Sequence, residues 1–75
     1  MNLKEKTLIK FGKKVRAFRK KKDYSQSELA HKSGLHRTYI GMIERAEKNI
    51  TLLNIEKIAK ALEMEIHELV NFLDS

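Results

Sequence analysis

Apolar side chains return every third or fourth residue along nearly the whole chain, and never in the strict alternation of a half-buried strand. Leu8, Phe11, Val15 and Phe18 mark one stripe, and Leu52, Ile55, Ile58, Ala59 and Leu62 mark another. That period restricts the fold to helices that share a core. Seventy-five residues supply one such core, so a single domain over residues 1–75 is expected. The chain has no cysteine and no proline, which excludes a disulfide framework and a thiolate metal site. A chain this small must then be held by well-packed helices, with a partner subunit as a further support. No apolar run approaches the roughly 20 residues that span a bilayer, and the start MNLKEKTLIKFGKKVR lacks the apolar centre of a signal peptide. The expectation is a cytoplasmic protein with no membrane partner.

The first helix is predicted over residues 6–21, with residues 3–6 frayed and Lys10, Lys13, Lys14, Arg16 and Lys20 on its outer face. Ser25, Gln26, Ser27 and Glu28 have the form of a capping box that opens a short helix through Lys32, and Gly34 ends it in a turn. A third helix is predicted from His36 to Arg45, with Ile40 and Ile43 inward and Arg37, Thr38, Gly41, Met42 and Arg45 outside. Thr51 is a candidate N-cap for a fourth helix, whose stripe begins at Leu52 and which ends near Glu63. A fifth, over residues 66–73, buries Leu69 and leaves Val70 and Leu73 as candidates for exposure.

Charge is distributed unevenly along this order. Residues 1–22 carry a net +9, residues 23–50 are neutral, and residues 51–75 carry −3. A basic end opposite an acidic one orients a polyanion, or an acidic protein partner, toward one side. Lysines on a helix face are also ordinary solvated residues, so charge alone does not choose between these readings.

Geometry narrows the choice within residues 25–45, SQSELAHKSGLHRTYIGMIER. Two short helices joined by a tight turn containing glycine cross steeply, and the second can then lie in a DNA major groove while the first braces the backbone. Ala30 is small where the helices cross, Leu35 and Ile40 anchor the pair, and the start of the second helix is rich in donors. Capping box, small residue, glycine, anchor and donors in one window form a specific helix-turn-helix signal.

Residues 18–62, FRKKKDYSQSELAHKSGLHRTYIGMIERAEKNITLLNIEKIAKAL, resemble the Cro/repressor-type (XRE) helix-turn-helix family. The resemblance implies an all-α, five-helix bundle of the lambda-repressor-like DNA-binding type, with helices 2 and 3 as the motif. HRTYIGMIER followed by KNIT is further similar to the controller proteins of bacterial restriction-modification systems, which are small homodimeric regulators. Ala46 departs from the glycine common after Ile-Glu-Arg, so a different turn is expected there, and Ile50 stands where proline is frequent.

Carried over residue by residue, the resemblance implies base contacts from Arg37, Thr38 and Met42, and backbone contacts from Gln26, Arg45, Lys48 and Asn49. An arginine fork suits a guanine edge, and a helix start such as that at Gln26 suits a phosphate. Tyr39 either donates its phenol to a phosphate or covers the hairpin. Arg19 and Glu44 are implied to form a structural ion pair between the first and third helices. Leu53, Val70, Phe72 and Leu73 are left over after the core is assigned and become candidates for a two-fold interface.

His31, His36 and His67 are scattered, without the spacing of a metal site, and no glycine-rich phosphate loop follows a strand. No enzyme, cofactor, metal or small-molecule ligand is therefore expected. The expected partner is a double-stranded, near-palindromic operator bound by a nucleoid-associated homodimer. A phage-type repressor, an antitoxin and a module for an acidic protein partner are the alternatives.

Overall fold

Five α-helices and a closing turn of 3-10 helix follow one another along the chain: α1 (Leu3–Lys21), α2 (Gln26–Ser33), α3 (Arg37–Glu44), α4 (Leu52–Ala61), α5 (Ile66–Leu69) and the 3-10 turn (Asn71–Asp74). The structure is a computed structural model that describes the backbone of residues 1–74 and side chains through Phe72. The interface expectation at Leu73 therefore lies outside the described side chains. The architecture is all-α, with no strand among the described residues.

The first helix starts earlier than its apolar stripe predicts. Asn2 accepts a hydrogen bond from the amide of Glu5 at 2.8 Å, so residues 3–6 form a capped helical turn. The capping box of α2 is present in both directions, Glu28 N–H to Ser25 Oγ at 3.0 Å and Ser25 N–H to Glu28 Oε1 at 2.9 Å. Thr51 caps α4 through the amide of Asn54 at 3.1 Å. α5 ends at Leu69, and the chain tightens into the 3-10 turn where the sequence pattern predicts one continuous helix.

All four longer helices end the same way. Asp23, Gly34, Ala46 and Glu63 take left-handed φ values of 59°, 71°, 62° and 58°. In each case the next amide reaches back to a carbonyl five residues earlier: Tyr24 to Arg19, Leu35 to Ala30, Glu47 to Met42 and Met64 to Ala59, at 2.8–3.1 Å. These are Schellman turns, which pair otherwise orphaned carbonyls. The different turn expected at Ala46 is therefore not found. An L-alanine keeps the left-handed turn, because the hydrogen bonds that close it offset the strain at Cβ. Tyr24, Leu35 and Met64, each one residue past the turn, pack on the core.

Phe11, Val15, Leu29, Ile40, Ile43, Ile58, Leu62 and Leu69 form the core. α1 packs on α3, α2 on α3 and α4, and α5 on α4 and α1. Gly12 sets the closest approach: a Cβ built there would stand 2.6 Å from the carbonyl oxygen of Ile43 and 2.9 Å from that of Glu44. Four expectations of burial are corrected. Leu52, expected in the stripe of α4, is 72% exposed, because the helix turns its Ile58 and Ala59 side inward. Gly41, expected outside, is buried, with the Arg45 guanidinium over it. Val70 and Phe72, expected on a free apolar surface, are half-buried against the core, and the Phe72 ring lies 6.4 Å from that of Phe11.

Two glycine-alanine exchanges should move stability in opposite directions. Ala46→Gly removes left-handed strain and should stabilise the fold by about 1 kcal/mol. Gly12→Ala drives a methyl into backbone oxygens and should cost at least about 2 kcal/mol, despite the higher helix propensity of alanine. Thermal melts check both, and a neutral Gly12→Ala would contradict the close approach of α1 to α3.

Candidate nucleic-acid interface

The side chain that holds the helix pair in place comes from α1. Arg19 is buried, its Nε donates to Glu44 Oε2 at 2.7 Å, and its Nη2 donates to Glu44 Oε1 at 3.0 Å. Its Nη1 donates to the Tyr24 carbonyl at 2.8 Å. Gln26 completes the group, donating from Nε2 to Glu44 Oε1 at 3.2 Å. One carboxylate on α3 thus collects the end of α1 and the first residue of α2. The hydrogen bond to Glu44 raises the pKa of Arg19 above its ordinary value against the opposing cost of burial, so the guanidinium keeps its charge.

This frame presents the start of α3 outward. α3 is the only described α-helix with neither a side-chain N-cap bond nor an acidic residue in its first turn. Its first residue is instead a cation, Arg37, set at the positive end of the helix dipole. Glu5, Glu28 and Glu68 occupy the equivalent turns of α1, α2 and α5. The unbonded amides of α3 and the Arg37 guanidinium therefore add to one exposed positive region.

Arg37 and Thr38 are exposed and have no polar partner among the described residues. Met42, one turn further, is half-buried. Tyr39 is half-buried against the core, and its phenol oxygen accepts from Asn54 Nδ2 at 3.1 Å. Arg45 is engaged with Glu47 at 2.9 and 3.4 Å, an exposed pair that covers Gly41. Lys48 and Asn49 stand exposed in the loop before α4. The structure thus brings Arg37, Thr38 and Met42 onto one helix, sets Lys48 and Asn49 after it, and turns the Gln26 amide toward Glu44. Leu53 lies apart at the start of α4, 60% exposed beside Leu52.

Sequence reasoning passed over Gly12 and Asn54. The signal for Gly12 was a glycine tolerated inside a helix, which points to close packing. Asn54 gave a weaker signal, three residues after the Thr51 cap.

Comparison with known proteins agrees with this geometry. The family profile described as "Helix-turn-helix" matches residues 15–69, and the chain belongs to the helix-turn-helix family, a class of DNA-binding transcription regulators. It is similar to Control protein C.BamHI of Bacillus amyloliquefaciens, 51% identical over 63 residues that cover 83% of this chain and 78% of that one. Among solved structures it is similar to the restriction-modification controller protein C.AhdI from Aeromonas hydrophila, at 48% identity and a TM-score of 0.82, covering 83% of this chain and 94% of that one. The biofilm master regulator SinR, solved in complex with DNA, matches at 37% identity and a TM-score of 0.75, covering 79% of this chain and 95% of that one.

Arg19→Met strands the Glu44 carboxylate and should destabilise the fold by roughly 3 kcal/mol. Adding Glu44→Gln should recover much of that loss, a coupling measurable by denaturant melts.

The helix that precedes the turn should also be acid-sensitive. The Ser25 amide, and then its hydroxyl, hold the Glu28 carboxyl below the ordinary range, and Lys22 lowers that of Glu63. A carboxyl depressed in the folded state contributes its stability above the unfolded value and loses it as pH falls through the folded one. Glu28→Ala should therefore flatten the decline in Tm between about pH 5 and pH 3. Parallel declines in the two proteins would show that the capping box carries no linkage.

Proposed function

We propose that the chain is a homodimeric transcriptional controller of a restriction-modification system. In this reading it acts in the bacterial cytoplasm and places α3 in the major groove of a near-palindromic double-stranded operator. One observation carries the reading. Arg37 stands unpaired on an uncapped, acid-free helix start, while Arg19 and Arg45 are both committed to carboxylates. A free fork at that position suits a guanine edge, and Thr38 and Met42 lie along the same helix for neighbouring bases. Lys48, Asn49, Tyr39 and the start of α2 at Gln26 serve the sugar-phosphate backbone, which sets register without reading sequence. Arg45 joins them once its pairing with Glu47 yields to phosphate.

A single short helix makes few base contacts, so two copies on a two-fold site are required for regulator-grade affinity. Leu52 and Leu53 stay exposed and form a shallow apolar groove with Glu56 and Ile66. That surface, rather than the half-buried Val70 and Phe72 alone, supplies a self-complementary patch for the second copy, with half-sites about 10 base pairs apart.

Selection of bound sites from random duplexes tests the reading and yields both motif and symmetry. On the selected duplex, Arg37→Ala should cost roughly 1 to 3 kcal/mol per half-site and relax preference at one or two positions. Asn49→Ala should weaken selected and scrambled duplexes by similar factors. Recovery of no enriched motif, or full discrimination by Arg37→Ala in anisotropy titrations, would refute the assignment of α3 as the reading element.

A further inference from the structure

Tyr39 and Asn54 make a hydrogen bond that the DNA reading does not by itself require. Tyr39 lies on α3 and Asn54 in the first turn of α4, and both are half-buried. Asn54 is itself fixed, because its backbone amide donates to the Thr51 hydroxyl at 3.1 Å. Its side-chain amide donates to the phenol oxygen of Tyr39 at 3.1 Å, so that oxygen acts as acceptor toward α4. A phenol hydroxyl is both donor and acceptor, and its proton prefers the ring plane, on one side of the oxygen or the other. With one side taken by the Asn54 N–H, the proton is left on the other. Accepting one hydrogen bond also polarises the hydroxyl and strengthens it as a donor.

We propose that Asn54 is a positioning residue for the DNA contact of Tyr39: it holds the phenol as an acceptor on the α4 side, so that the hydroxyl proton is presented to a phosphate. This rests on the assignment of Tyr39 to the DNA backbone above. The phosphate oxygens accept only, so a phenol whose proton points inward is lost to them. Asn54 touches no DNA in this arrangement and acts through Tyr39.

Asn54→Asp separates positioning from simple support. The new carboxylate accepts only, and so draws the phenol proton toward α4. It also places a negative charge near the N-terminus of α4, which favours the helix. The Tm should therefore hold or rise while DNA binding falls, a combination that a merely structural asparagine does not give. Anisotropy titrations on the selected duplex, with Asn54→Asp, Tyr39→Phe and the double variant, form the test. Asn54→Asp should weaken binding by about tenfold in the parent protein, but only by about twofold in the Tyr39→Phe background, where charge repulsion alone remains. Equal factors in the two backgrounds would overturn the proposal while leaving Tyr39 on the DNA. A Tyr39→Phe protein that binds as tightly as the parent would remove Tyr39 from the interface, and the role of Asn54 with it. Loss of selective duplex binding by the unmodified chain would instead overturn the DNA reading itself.

Discussion

The Arg19–Glu44 ion pair fixes the relation among the first three helices. A guanidinium has five donors in a rigid plane, and here three of its nitrogens meet Glu44 and the Tyr24 carbonyl at 2.7–3.0 Å. The Tyr24 carbonyl lies just past the end of α1, and Gln26 opens α2, so one charged pair gathers the end of α1, the start of α2 and the end of α3. Burying a charge pair adds little net stability over well-packed apolar side chains. What it adds here is direction, because the fork accepts one orientation of the carboxylate and Glu44 is the last residue of α3. The angle at which α3 leaves the core is thereby tied to α1.

That constraint operates only because α1 comes so close. Gly12 and Arg19 lie two helical turns apart along α1, one touching the terminal carbonyls of α3 and the other its terminal carboxylate. A glycine in the middle of a 19-residue helix weakens it by up to about 1 kcal/mol relative to alanine. Capping by Asn2 and packing of Phe11 and Val15 offset that loss. Backbone contact at Gly12 sets the separation of the two helices, and the ion pair sets their rotation.

Much of this was legible in the sequence because it is local. The capping box at Ser25 and Glu28, the turn at Gly34, the Thr51 cap and the inward pair Ile40 and Ile43 each depend on residues within one or two turns. The Arg19–Glu44 pair spans 25 residues and came from resemblance, since no local pattern selects Glu44 over Glu47. Misreadings occurred where packing decides. Leu52 begins an apolar stripe but faces outward, and Gly41 sits on an outer position yet is covered by the side chain of Arg45, the residue that follows α3. Three of the four left-handed helix ends carry Asp, Ala or Glu, and so gave none of the glycine signal that marked Gly34. Among the candidate site residues, the exposed ones at the start of α3 followed from helical spacing. The engagement of Gln26 with Glu44 and of Tyr39 with Asn54 depends on tertiary contacts, and that of Arg45 with Glu47 on the direction the chain takes after α3, neither of which spacing contains.

The start of α3 departs from the rules that the rest of the chain obeys. Elsewhere the helix starts are capped or acidic, and the last turn of α1 carries Arg19, Lys20 and Lys21, as the helix dipole favours. α3 alone puts an unpaired arginine at its positive end and leaves its first amides without a side-chain acceptor. In the isolated chain this is a local cost in helix stability. A sequence that is consistent at every other helix start and breaks the pattern at one exposed end fits the proposed DNA partner, which would supply what is missing. The missing component is negative charge with acceptor oxygens, and in the proposed reading the guanidinium fork beside it tells one base edge from another. In the proposed reading, stability and recognition occupy opposite ends of the same eight-residue helix: Glu44 anchors its C-terminus to the core, and Arg37 leaves its N-terminus open.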